Sequence, residues 1–309
     1  MGGSGEMTVK LSVCVTTYNR AEALDRTLAS IAAQTRIPDE VIVSDDCSTD
    51  NTPAVAMRWA QQLPGFLYQR NPTNLRMPGN LNAAIRRSTG TYVANLHDAD
   101  TFAPTMLERW EASLDAHDSA GFVFCGIAGW PNQTRQGCGV ILHDVAPLTQ
   151  GRDFYEQHLV HRFSSIVWGT VMARRSAYKL LLPFDDQFGF TSDVDMWMRM
   201  CLHFDVAYVR EPLIVLDQST TPERGGDVNW RWVAMSRRMQ LVNLARFYGD
   251  DPARLAHEYH RHRGASRRYL LRRLIGRLRH ADWSGVRQVR QLWKEWSMMS
   301  SDDSAVRIA

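Results

Sequence analysis

No apolar run in this sequence approaches the roughly 20 residues that a bilayer-crossing helix requires, so a chain that does not span a membrane is expected. The opening residues Met1–Met7 carry neither a basic stretch nor an apolar one. Residues 1–7 therefore read as a flexible leader rather than a secretory signal. The five cysteines are odd in number and scattered, with no C-x-x-C pair. That disfavours a disulfide framework and a cysteine-built zinc site, and predicts a reducing, cytoplasmic setting. No G-x-x-x-x-G-K-[ST] loop is present, and no G-x-G-x-x-G follows the first strand. Phosphate-loop nucleoside triphosphatases and dinucleotide enzymes are thereby disfavoured. The ten histidines show no metal-ligand spacing; His257, His260 and His262 sit in an arginine-rich run.

What is present is divided unevenly. Residues 254–296 hold twelve Arg and Lys against three acids, so within a net charge of +3 the remainder carries about −6. An acidic body followed by a basic tail calls for two explanations. The length of 309 residues suits one large domain or two modest ones.

The first hundred residues alternate strand and helix patterns. Leu11–Thr16 and Val41–Val43 are continuous apolar, β-branched runs, as strands buried on both faces require. Asn19 is placed to cap a helix bearing Leu24, Leu28 and Ile31 at helical spacing. A helix from Pro78 to Ser88 stops at Gly90, and Tyr92–Leu96 forms a further strand. This βαβα order predicts an α/β fold with a mostly parallel sheet and helices on both faces. Ligands of such sheets bind beyond the carboxyl ends of the strands. Three strand ends deliver polar residues there: Thr16–Thr17, Asp45–Asp46, and Asp98 with Asp100. Further on, Arg174–Leu181 and Asp193–Phe204 read as helices and Val206–Val209 as a strand. From about Asn229 the pattern is helical to the end. Leu270, Leu271, Leu274, Ile275 and Leu278 form one apolar stripe, and Val286, Val289, Leu292, Trp293 and Trp296 another.

The chemistry-bearing residues follow from these positions. Asp98 and Asp100, two apart in a turn, can meet one hard cation that bridges a diphosphate. Asp45 and Asp46 can accept hydrogen bonds from a nucleobase or a ribose. Arg76, in a turn-rich loop, can grip a phosphate oxygen. Asp193, in the first turn of a helix, can serve as a general base toward an acceptor hydroxyl.

Together these motifs resemble the family 2 glycosyltransferases, over about Leu11 to Val215. Ser12–Arg20 (SVCVTTYNR) is similar to the family's opening strand. Glu40–Thr52 (EVIVSDDCSTDNT) resembles its "DDGSTD" segment, Asn82–Tyr92 the helix and glycine before the metal motif, and His97–Pro104 the metal motif itself. Thr170–Arg199 resembles the acceptor-side segment, with Asp193 at the position of the catalytic base.

The resemblance implies a GT-A fold with a C-terminal helical extension, and an inverting, metal-dependent sugar transfer from a nucleotide diphosphate, UDP above others. A glycan or lipid-linked acceptor and Mn²⁺ or Mg²⁺ are implied with it, as is a place in cell-surface polysaccharide or glycoconjugate synthesis. Thr16, Tyr18, Asp45, Asp46, Arg76 and Asp98 are then expected around the donor, and Asp98 and Asp100 on the metal. Asp193 is expected as base, with Asp195, Trp197 and Trp168 on the acceptor side. The implied division is a catalytic domain over 8–227, split near 107, and a basic helical region over 228–309. Three departures stand out. Cys47 replaces the usual glycine of the "DDGS" turn, and Leu216–Thr220 replaces a tyrosine-arginine-x-histidine loop. Asn80-Leu81-Asn82 replaces the more common alanine-arginine-asparagine, which shifts the expected phosphate contact to Arg76.

Other classes remain at this point. A non-catalytic nucleotide-sugar binder on the same fold would not need the three carboxylates together. Nucleotidyltransferases need a glycine-rich opening loop, which is missing. The tail's arginines alternate with aliphatic rather than aromatic residues, so nucleic acid is not expected as a partner. The tail is expected either to lie on the inner face of an anionic membrane or to pack on the body.

Overall fold

The computed structural model describes residues 10–131, 138–162, 165–216 and 230–298. The leader, the loop at Asp217–Thr220 and the expected boundary at 227–228 lie outside the described residues. The chain divides into two compact units, residues 1–155 with 166–221, and residues 156–165 with 222–309. Residues 156–165, expected in the acceptor half, thus group with the helices.

The first unit opens with β1 (Leu11–Thr17), α1 (Ala21–Ala32), β2 (Glu40–Asp45), α2 (Thr52–Trp59), β3 (Phe66–Arg70), α3 (Arg76–Arg87) and β4 (Tyr92–His97). These four strands pair in parallel in the order β3-β2-β1-β4. Leu11, Val13, Cys14 and Val15 are fully buried, because both faces of β1 are covered, as its unbroken apolar run requires. Leu24, Leu28 and Ile31 are fully buried too, one face of α1 meeting the sheet. The residue before α1 is Arg20, and Asn19 does not cap it. Asn19 turns into the left-handed region (φ 51°) and accepts from Thr49 N–H at 2.7 Å. The helix end is served instead by Asp50, which accepts from Ala21 N–H at 3.0 Å.

Then follow β5 (Thr101–Phe102), α4 (Met106–Ala116), β6 (Ala120–Pro131), β7 (Cys138–Ile141), β8 (Leu148–Thr149), α5 (Gly151–Phe154), β9 (Val171–Arg174), α6 (Arg175–Leu181), α7 (Ser192–Met200) and β10 (Asp205–Val215). The sheet continues β4-β9-β6-β10-β5. Here it is mixed: β9 lies antiparallel between β4 and β6, while β6 and β10 run parallel. The mostly parallel sheet expected from the sequence is present, with the four opening strands all parallel and β9 inserted antiparallel beside them.

The second unit holds α8 (Trp230–Tyr248), α9 (Pro252–Arg279) and α10 (Trp283–Met298). Val233, Leu270, Val289, Leu292 and Trp296 form its core. Gln240 fastens the 156–165 segment, donating to Leu159 O at 3.0 Å and Arg162 O at 2.9 Å.

Candidate active site

The carboxyl ends of β1, β2 and β4 fall in one row, with Thr16 beside Ser44 on one flank and His97 on the other. The turn after β4 carries Asp98 and Asp100, each only 5% exposed. Thr27 holds this turn by donating its hydroxyl to Asp100 O at 2.7 Å. Arg20 reaches Asp98 at 3.1 Å. Burial pushes the Asp98 carboxyl above its ordinary range, against the opposing pull of Arg20. A second cationic charge at this turn would relieve that desolvation.

Asp193 comes from the first turn of α7 and is partly buried. Val194 N–H donates to it at 2.7 Å. Burial raises its pKa; Val194 N–H and the neighbouring His97 act in the opposite direction. Gly169 shows how close these groups lie. A methyl group added at Gly169 would sit 2.4 Å from His97 Nε2 and 3.1 Å from Asp193 Oδ2. The other imidazole nitrogen, Nδ1, is 3.8 Å from Asp100 Oδ2. His97 thus stands between the Asp98–Asp100 turn and Asp193, residues nearly a hundred positions apart.

Two asparagines assemble this junction. Asn95 of β4 donates to Gly169 O at 2.6 Å. Asn82 of α3 pairs with the backbone of Phe184 in both directions, at 2.9 and 2.8 Å, holding the segment that leads into α7. Sequence reading did not single out His97, Gly169 or Asn95. A histidine ending a strand and a lone glycine carry no motif, and only their meeting in space marks them.

The remaining expected residues sort less evenly. Tyr18 and Arg76 are exposed, and the Arg76 guanidinium has no carboxylate partner among the described residues. Asp45 and Asp46 do not present free oxygens. Asp45 is fully buried and accepts from Ser48 N–H at 2.9 Å and from Tyr68 hydroxyl at 2.6 Å. Asp46 accepts from Leu75 N–H at 2.7 Å, Arg76 N–H at 2.8 Å and Asn71 at 3.1 Å. These carboxylates are engaged in tying the turn after β2 to Tyr68 and to the loop that carries Arg76. Asp195 and Trp197 require a correction: both are fully buried and cannot face an acceptor. Asp195 holds Arg199 at 2.8 Å, and Trp197 packs between Phe122 and Phe184. Positions 195 to 198, which together circle most of a helical turn, are all buried, so α7 is enclosed there, whereas Asp193 in its first turn is only partly buried. Trp168 is partly buried against the sheet core.

The model of the family described as glycosyl transferase family 2 matches residues 12–179, more than half of the chain. The chain belongs to glycosyl transferase family 2. EpsE of Bacillus subtilis is 28% identical over 195 residues, covering 62% of this chain and 66% of its own. Abequosyltransferase RfbV of Salmonella typhimurium is 31% identical over 109 residues, 34% of this chain and 33% of its own. The chain thus spans about two-thirds of one family relative and one-third of the other. Among solved structures, S. aureus TarS 1–349 in complex with UDP-GlcNAc superposes with a TM-score of 0.60 at 17% identity, covering 93% of this chain and 92% of that one. The mannosyltransferase PcManGT of Pyrobaculum calidifontis, in complex with GDP-Man and Mn²⁺, gives 0.55 at 20% identity, covering 97% and 78%. These likenesses establish the GT-A fold of the family 2 chain.

Proposed function

We propose that this family 2 chain transfers a sugar from a nucleotide diphosphate, UDP before others, to a hydroxyl group of a glycan or lipid-linked acceptor, inverting the anomeric centre. The observation that carries the reading is the junction at Gly169, where His97 and Asp193 abut one point while His97 also faces Asp100. Asp193 is the base: it takes the acceptor hydroxyl proton as that oxygen attacks the anomeric carbon opposite the diphosphate. A carboxylate whose pKa burial has raised holds a proton better than one in water, which suits that task. One displacement gives inversion.

Two nearly buried carboxylates in one turn fit a hard divalent cation, Mn²⁺ or Mg²⁺, which prefers few protein oxygens and takes its other ligands from phosphates and water. Such a cation supplies positive charge to the departing diphosphate. The exposed guanidinium of Arg76 lies free to meet phosphate oxygens, and Tyr18 is exposed beside the end of β1. The UDP-GlcNAc complex of TarS and the Mn²⁺ complex of PcManGT support the donor and cation assignments.

General-base assistance is worth about 10²–10⁴-fold. Asp193→Asn is expected to retain donor binding, read as a thermal shift with UDP-sugars and Mn²⁺, and to lose transfer by that factor. EDTA is expected to abolish transfer in the wild type, with Mn²⁺ restoring it. Near wild-type turnover by Asp193→Asn would remove the base assignment, and full activity in EDTA the cation. Donor binding with no transfer by the wild type to any acceptor would leave a nucleotide-sugar binder.

A further inference from the structure

We propose that the helical unit docks on an anionic lipid bilayer through one face of α9, its apolar ridge entering the interface and its basic flanks holding lipid phosphates.

The apolar stripe read from the sequence splits in the structure. Leu270 is buried in the core of the unit, whereas Leu271, Ile275 and Leu278 are 48%, 41% and 46% exposed. Steps of four and three residues keep these three side chains on one line along the helix. Trp283, at the start of α10, is 63% exposed. The other stripe, on α10, is largely accounted for within the unit, since Val286 is buried and Val289, Leu292 and Trp296 pack in its core, with Trp293 alone of the five left 38% exposed. What is left over is therefore a defined ridge, and contiguous apolar exposure of this kind marks an interaction surface.

The charges around the ridge specify the partner. Between Tyr259 and Ala281 there are eight arginines and no carboxylate. At about 100° per residue, Arg268, Arg272 and Arg279 fall along one side of the Leu271–Ile275–Leu278 line, and Arg267 on the other. None of these four has a carboxylate partner among the described residues. The carboxylates closest along the chain are taken. Glu258 is buried and paired with His161, Arg254 and Arg261, and Asp282 is paired with Arg277. Toward the start of α9 the same face continues into an open groove of about 390 Å³, lined by His161, His260, Arg261, Gly264, Ala265 and Arg268. Guanidinium groups beside such a groove suit the phosphate of a lipid headgroup.

An aliphatic centre with arginines on both sides matches the two zones of a membrane surface: acyl chains take the ridge, and phosphates meet the guanidinium groups. A second copy of the chain fits poorly, because pairing two such faces would bring like charges together. Nucleic acid fits poorly as well, since the α9 ridge is aliphatic, whereas single-strand binders stack successive bases on a row of aromatic rings. This docking does not depend on the transfer chemistry.

The test is co-sedimentation of the full chain with vesicles of phosphatidylcholine alone or mixed with phosphatidylglycerol, at low and high salt. Binding is expected to the anionic vesicles only, weakening about tenfold or more as salt screens the arginines. Leu271→Gln, Ile275→Gln and Leu278→Gln combined should weaken it at least tenfold, as should Arg268→Gln with Arg272→Gln. All five positions are exposed, so the circular dichroism spectrum should not change. The proposal is overturned if anionic vesicles fail to sediment the chain at low salt, or if the ridge variant binds like wild type. A dimer that the ridge substitutions dissolve, with no vesicle binding, would assign the face to a second copy instead.

Discussion

At the end of β4 one imidazole has a carboxylate turn on its Nδ1 side and Asp193 beyond its Nε2 side. A neutral ring there can offer an N–H in one direction only, and a protonated ring in both. Either way it is a polar spacer that keeps three carboxylates from repelling one another directly. Because the ring is 40% exposed, removing it leaves no cavity in the core. His97→Ala is therefore expected to lower kcat about tenfold or more while changing stability by no more than about 0.5 kcal/mol. The donor KM should move less than kcat, and His97→Asn should recover part of the loss. Unchanged kcat in His97→Ala would detach this residue from the site. At this scale, Asp98, Asp100 and Asp193 could be picked out from the sequence because they sit in motifs with a fixed order. Asp195 and Trp197 share the motif that marks Asp193, yet they point inward. Position in a motif does not say which way a helix faces, and burial decides that only once α7 meets Phe122 and Phe184.

The turn after β2 shows how an element resolves a local conflict. Cys47 stands at φ 68°, in the left-handed region that glycine adopts at little cost. That explains why the resembling segment of the family carries glycine there. The conformation is held from both sides: Asp45 accepts from Ser48 N–H, and Asp46 draws in the Leu75 and Arg76 amides. A β-branched side chain at this φ clashes with its own backbone. Cys47→Val is expected to cost about 1–2 kcal/mol, and Cys47→Gly to be neutral within about 0.5 kcal/mol. Equal denaturation midpoints for the Val and Gly variants would refute the strain. The parallel core β3-β2-β1-β4 was legible because unbroken apolar runs alternating with amphipathic helices leave few other arrangements. The antiparallel β9 was not, since Val171–Arg174 is too short for a pattern of its own. The Asn19 cap was misread for a similar reason. Its competitor, Asp50, lies far along the chain, and local signals cannot weigh a distant carboxylate against a near amide.

Across the whole molecule, individual groups answer acid with opposite signs. In the first unit, burial holds the Asp98 and Asp193 carboxyls above their ordinary range, so protonating them as pH falls relieves a cost. Asp115 of the same unit, held below its range chiefly by the Tyr92 hydroxyl, contributes the opposite sign. In the helical unit, His262 is fully buried and its pKa is lowered to about 3, by burial first and then by His161 and Arg237. His161 is also lowered by burial, with Glu258 opposing. In the unfolded chain a histidine takes up its proton near pH 6.5. Below that pH the unfolded state binds more protons than the folded one, so stability present above about 6.5 drains away as pH falls toward about 3. One histidine contributes at most about 1.4 kcal/mol per pH unit over that window. The Glu258 carboxyl, raised by burial but lowered further by His161 and the adjacent arginines, stays ionised in the folded state and adds a loss at lower pH. Hydrogen exchange of the α9 amides, corrected for intrinsic rates, should therefore lose protection between about pH 7 and 5. His262→Gln keeps a polar side chain without the titration, so its protection should fall less steeply over the same range. If wild type and His262→Gln lost protection in parallel, the buried imidazole would not be the group that senses acid.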